Sequence, residues 1–206
     1  MYDTALRDIK EKTFAPLALR LSSRIHPNHI SVAALGVGLL SVAAVAQGEY
    51  GVGLALWAAN RTLDGLDGVV ARCQGTQSDF GGYLDLLLDY VIYLTVPIAF
   101  IYAQPSMAGL WAVVFLISSF VMTIVSWAVL SAILEKRAWR ESQRQIGAKL
   151  TTVEMPTGLI EGTETVIFYS LFFLLPAQVT WLFWLMGALV LVSVAQRMIW
   201  AWRTLD

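Results

Sequence analysis

Cysteine is almost missing. Cys73 is the only one in 206 residues, which excludes an intrachain disulfide and a cysteine-rich metal site. Its expected role is that of a small residue at a helix end. Charge is scarce as well: 14% of residues are charged, against 57% hydrophobic residues and eight Trp. With a mean hydropathy of +0.65, such a chain is not an ordinary soluble domain but a membrane protein. It has room for several spans of about 20 residues each and for no separate soluble domain. A basic excess is also lacking. The formal net charge of -1 offers no strongly basic face, so no nucleic-acid partner is expected. Only two histidines are present, His26 and His29, and neither has a third ligand nearby at metal spacing. Internal repeats and low-complexity tracts are absent.

What remains reads as an all-α integral membrane protein, one domain over 1–206. Within it, 1–29 is a juxtamembrane amphipathic segment and 30–202 a six-helix bundle. In the first segment Tyr2, Leu6, Ile9, Phe14, Leu17 and Leu21 fall on one side of a helical projection, which predicts a helix lying on the membrane surface. Ala44, Val45 and Ala46 resemble a signal-peptide cleavage site, but the charged region before them is too long for one. Six transmembrane helices are expected, at 30–47, 51–72, 81–103, 107–134 and 158–175, with the last ending near Trp202. A polar loop is expected from Glu135 to Pro156. Lys and Arg are missing from the turns at 48–50, 104–106 and 176–178. They collect before the first span, at Arg72, at Lys136, Arg137, Arg140, Arg144 and Lys149, and at the end of the chain. By the positive-inside rule both termini are cytoplasmic. Most of the Trp residues, Trp111, Trp127, Trp181, Trp184, Trp200 and Trp202 among them, fall towards span ends, as interface anchors do.

The scarce charge is concentrated in one stretch, DGLDGVVARCQGTQSDFGGYLDLLLD, from Asp64 to Asp89. Ionisable groups in apolar surroundings are costly and usually mark function. Asp64 and Asp67 are three apart and Asp85 and Asp89 four apart, so each pair shares a helix face. Arg61 precedes Asp64 by three residues, and that pair alone has a purely structural explanation. Four carboxylates together suit a hard divalent cation, which takes oxygen ligands and bridges to substrate phosphates. Gly68 and Gly81 permit close backbone approach, and Arg72 is suited to a bidentate phosphate contact. Together these residues describe a pyrophosphate site at the cytoplasmic face. The rival from another class is a divalent-cation channel or transporter using the same aspartates.

Asp64, Asp67, Gly68, Ala71, Arg72, Gly81, Asp85 and Asp89 match the pattern DxxDGxxARx8GxxxDxxxD at every position and gap. In this the chain resembles the CDP-alcohol phosphotransferase (CDP-alcohol phosphatidyltransferase) family. Pro27, Asn28 and Ser31 resemble the PNxxT stretch at the family's first span, with serine in place of threonine. The resemblance implies a metal-dependent transferase of phospholipid synthesis. It would move a phosphatidyl group from a CDP-linked lipid such as CDP-diacylglycerol to a small alcohol acceptor, releasing CMP. It further implies one or two Mg²⁺ or Mn²⁺ ions held by Asp64, Asp67, Asp85 and Asp89, with Asp89 as the catalytic base. Gly68, Ala71, Arg72 and Gly81, with Asn28 and Ser31, would bind the nucleotide and its phosphates. Relatives form homodimers, and Gly36, Gly53 and Gly109 would permit close helix contacts.

Relatives that use a phosphorylated acceptor carry a pattern resembling ERxER at the start of the fifth span. Here that stretch reads Glu161, Gly162, Thr163, Glu164, Thr165, with neither arginine. The acceptor is therefore expected to lack a phosphate. Glu161 and Glu164 share a face and are candidates for binding it. Their other reading is the first turn of a helix, where the helix dipole favours acids.

Overall fold

The computed structural model describes residues 25–144 and 158–205. The amphipathic helix expected before residue 25 lies outside them, as does the loop after Arg144. Among the described residues all regular structure is helical: α1 (Pro27–Ala46), α2 (Tyr50–Gln74), α3 (Asp79–Ala103), α4 (Met107–Arg144), α5 (Gly162–Leu174) and α6 (Val179–Leu205). A single 3₁₀ turn, Pro176–Gln178, precedes α6. Four helices, α1, α3, α4 and α6, are long and apolar enough to cross a membrane. The second expected span, α2, carries Arg61, Asp64, Asp67 and Arg72. The fifth, α5, has 13 residues, about 20 Å of helix against about 30 Å of hydrocarbon.

Several boundaries differ from expectation, and α5 starts at Gly162, four residues after the expected 158. α1 begins at Pro27, three residues early, because His26 caps it: the His26 Nδ1 accepts from the Asn28 N–H at 3.3 Å, with Pro27 at the first helical position. α4 continues to Arg144, ten residues past the expected end of its span and into what was expected to be polar loop. Glu, Lys, Arg and Ala are strong helix formers, so loss of hydropathy there does not end the helix. The basic run thereby becomes helical, and Arg137 donates to the backbone carbonyls of Thr204 and Leu205 at the end of α6.

The helices divide into two compact units, one of residues 1–106 with 170–177, the other of 107–169 with 178–206. In the first, α1 packs along both α2 and α3, which approach each other less closely. Ile30, Leu66, Val69 and Val70 bury the contact between α1 and α2. Ser41 donates to the Gly53 carbonyl at 2.7 Å, and an added Cβ at Gly53 would meet Val45 and the Phe173 ring. Gly36, by contrast, has open space around it. In the second unit α4 packs on α6, with Phe115 against Trp184 at 4.6 Å between ring centroids. Arg197 is buried there and donates to the Thr123 hydroxyl at 2.6 Å.

Gly38 is where α1 comes closest to its neighbours. A Cβ there would lie 2.6 Å from the Ile92 Cδ1 and 3.0 Å from the Asn60 Nδ2. Gly38→Leu is expected to destabilise by about 1–3 kcal/mol through overpacking, read as a lower unfolding temperature in detergent. Gly36→Leu should leave that temperature nearly unchanged.

Candidate active site

α2 and α3 are joined by a link of four residues, Gly75–Ser78. Gly75 ends α2 in the left-handed region, at φ 65°, where only glycine is unstrained. Its N–H and that of Thr76 return to the carbonyls of Arg72 and Ala71. Ser78 starts α3 by accepting from the Gly81 N–H at 3.0 Å, and Asp79 follows in the first turn. So short a link makes the helices antiparallel, and their polar residues meet in mirror order about it.

Three tiers result. Nearest the link, Asp67 of α2 and Asp85 of α3 line one cleft. Next, Asp64 and Asp89 stand on either side of the Arg61 guanidinium, which contacts both. Farthest from the link, Arg61 donates from Nη1 to the Tyr93 hydroxyl at 3.0 Å. Spacings of three on α2 and four on α3 keep each partner on the face turned towards the other helix. Arg61 also binds the middle tier, through Nη2 to the Asp89 Oδ1 at 2.7 Å and Nη1 to the Asp64 Oδ2 at 3.6 Å. The sequence spacing named only the weaker of these two contacts.

The tier nearest the link opens into a cleft of about 190 Å³. Its walls bring together Asn28, Ser31, Asp67, Gly68, Ala71, Arg72, Gly81 and Asp85, which include every residue expected to bind nucleotide or phosphate. Ser31 donates to the buried Asp67 Oδ2 at 2.5 Å, so the hydroxyl kept in place of the usual threonine has a definite partner. A side chain at Gly81 would press on the Ser78 Oγ, with the Asn28 Oδ1 at ordinary contact distance beyond it. Thr76, Gln77, Ser78 and Gly82 also line the cleft. Sequence reasoning missed them, although for Thr76, Gln77 and Ser78 the position in a short polar link between two acidic helices was the available signal, and for Gly82 its place beside Gly81 in the first turn of α3. Asp64 and Asp89 stand behind the cleft with Arg61 rather than in its walls.

The donor chemistry of the four aspartates suits a hard divalent cation: oxygen ligands only, with the Arg61 guanidinium shared between two of them. Among the described residues, no three acidic, His or Cys side chains converge on one point. Glu161 and Glu164 belong to the second unit, where each uses one carboxylate oxygen at the start of α5. The Glu161 Oε1 accepts from the Gly158 N–H at 2.7 Å, and the Glu164 Oε2 from the Glu161 N–H at 3.1 Å. Glu164 thus closes the start of the helix, satisfying the Glu161 N–H that the helix itself cannot, while Glu161 turns back to the segment before it.

A sequence model of CDP-alcohol phosphatidyltransferases matches residues 24–200, across both units. The chain belongs to the CDP-alcohol phosphatidyltransferase family. It is similar to "Inner membrane protein YnjF" of Escherichia coli (strain K12), 33% identical over 180 residues that cover 86% of this chain and 82% of that protein. Shorter likenesses join it to two other named proteins. One is the "Bifunctional IPC transferase and DIPP synthase" of Aquifex aeolicus (strain VF5), 34% identical over 101 residues, 48% of this chain and 23% of that protein. The other is the "CDP-diacylglycerol--serine O-phosphatidyltransferase" of Mycobacterium leprae (strain TN), 36% identical over 80 residues, 39% of this chain and 27% of that protein. This chain is thus a transferase-family membrane protein related to enzymes of phospholipid synthesis. The rival reading as a cation channel draws no support from the family match or the relatives.

Proposed function

We propose that this member of the family transfers a phosphatidyl group from CDP-diacylglycerol, or a closely related CDP-linked lipid, to the hydroxyl of an acceptor without a phosphate, releasing CMP. The observation that carries the reading is the cleft, in which eight residues from three helices meet above a second tier of carboxylates. Arg72 and the open backbone at Gly68 and Gly81 receive the pyrophosphate. Asn28 and Ser31 line the nucleotide's side. Asp89 accepts the proton of the attacking hydroxyl at a carboxylate oxygen. Asp64, Asp67, Asp85 and Asp89 would hold Mg²⁺ or Mn²⁺, whose charge neutralises the phosphoryl group during transfer. The distribution of Lys and Arg supports a cleft facing the cytoplasm, with both termini on that side. Six membrane helices act as one catalytic domain in this reading, and the homodimer rests on the resemblance to the family rather than on charge.

The test is to incubate purified protein with labelled CDP-diacylglycerol and a panel of alcohols, with and without Mg²⁺, and follow CMP. Turnover with a non-phosphorylated alcohol is expected. Absence of CMP release with every acceptor, together with metal uptake into liposomes, would overturn the reading.

Ser31 provides a finer probe. A hydrogen bond to a charged group is worth about 1.5–3 kcal/mol, so Ser31→Ala should lower kcat/KM for the donor about 10–100-fold. Ser31→Thr, which keeps the hydroxyl, should stay within a few-fold of the parent. Equal losses in the two variants would show that the Ser31–Asp67 bond is not what matters.

A further inference from the structure

Arg61 lies outside the eight-residue pattern, yet it is the most completely held charged side chain near the site. Its side chain is 12% exposed. Its Nε donates to the Asn60 Oδ1 at 2.8 Å, its Nη1 to the Tyr93 hydroxyl at 3.0 Å and its Nη2 to the Asp89 Oδ1 at 2.7 Å. The guanidinium also stacks over Trp57 and Tyr93, 4.8 and 5.1 Å from the ring centroids. Asn60 is itself buried and anchored, donating from Nδ2 to the Ala34 carbonyl at 2.8 Å. A continuous hydrogen-bonded line thus runs from the backbone of α1 through Asn60 and Arg61 to Asp89 on α3.

Such a line does more than balance charge. A lysine ammonium in the same place would attract Asp89 without holding a plane, whereas the guanidinium fork fixes direction as well as distance. With Oδ1 fixed by Arg61, the direction of the second carboxylate oxygen is set too, and a base must be aimed to take a proton efficiently.

We propose that Arg61 is a positioning residue for the transfer, aiming the Asp89 carboxylate across the gap between α2 and α3 while Asn60 and Tyr93 keep its own plane fixed. This rests on the transferase reading above, because it assigns a purpose to the orientation of the base. It predicts an effect on turnover and little on donor binding, since the cleft walls do not include Arg61.

The experiment is a set of variants compared with the parent for CMP release, donor KM and thermal unfolding. Arg61→Gln should lower kcat about 100-fold, within the range for a misplaced base, with donor KM changed less than about threefold. Arg61→Lys should recover only a small part of the loss. In the Asp89→Asn background, Arg61→Gln should cost almost nothing further, because the residue it aims is already disabled. Full rescue by Arg61→Lys would overturn the proposal in favour of simple charge balance. So would independent, multiplicative losses in the double variant. Should Arg61→Gln fail to fold, Tyr93→Phe removes only the hydroxyl that Arg61 Nη1 reaches. That variant should lower kcat several-fold at unchanged unfolding temperature, and unchanged kcat would overturn the proposal. The unfolding cycle between Arg61→Gln and Asp89→Leu, which removes the acceptor oxygens, reads their contact independently of CMP: additive shifts would overturn the pairing itself. A parent protein that releases no CMP would count against the transferase reading instead.

Discussion

Asp89→Asn should reduce CMP release by about 1,000-fold or more, near the upper range for loss of a general base, while labelled CDP-diacylglycerol still binds. The substitution is close to isosteric. An asparagine oxygen can accept from the Arg61 Nη2 as the Asp89 Oδ1 does at 2.7 Å, so the guanidinium keeps a partner and α3 keeps its place. What the amide cannot do is accept a proton from an attacking hydroxyl. Asp89 also stands behind the cleft that receives the donor, and this is why binding and turnover should separate. The measurements are CMP release over time and equilibrium binding of the labelled donor in micelles. Near-normal turnover would remove Asp89 from the role of base.

Stripping divalent cations with a chelator is the second change of comparable size. Turnover should fall to background and return with Mg²⁺ or Mn²⁺, but not with a monovalent salt of equal ionic strength. The reason is the imbalance across the tiers. Two carboxylates share Arg61 and a third takes the Ser31 hydroxyl, a poor substitute for the hydration they gave up. A bound cation should therefore also stabilise the fold, by about 2.7 kcal/mol when present at 100 times its dissociation constant. Thermal unfolding with and without Mg²⁺ reads this without any substrate. Asp67→Asn and Asp85→Asn should each diminish the stabilisation. Cation-independent turnover, or an unfolding temperature indifferent to Mg²⁺, would show that the carboxylates serve another end.

Much of this site could be read from spacing alone. The intervals within Asp64–Asp67 and Asp85–Asp89 place each pair on one face, and the cleft gathers six of the eight residues that the family pattern marks, all but Asp64 and Asp89. Pairing across helices was less legible, because it depends on the length and capping of the link. Gly75 and Ser78 set that geometry, but their effect is felt about four turns away, where Arg61 meets Tyr93. Spacing found one partner of Arg61, Asp64, and missed the closer one, Asp89, for a related reason. Sequence distance favours a residue one turn along the same helix, while a long side chain reaches more closely to α3. Hydropathy located the apolar segments well and one helix end poorly. It reports where a chain stops being apolar, and α4 keeps its hydrogen-bonded ladder through Glu135 and Lys136 after that point. Glu164 was legible as a first-turn residue of α5, and one of its oxygens has that use, while Glu161 precedes the helix and turns to the Gly158 N–H.

The four-residue link has a consequence for how the protein is made. The four aspartates and Arg61 lie between residues 61 and 89, and the Ser31 and Asn28 that complete the cleft come earlier still. Closing a short loop costs little chain entropy, and contacts local in sequence form early. The carboxylate ladder therefore needs only the first three described helices. During synthesis it can assemble as soon as α3 has left the ribosome, with Arg61 between Asp64 and Asp89 and the Ser31 hydroxyl on Asp67, before α4 to α6 exist.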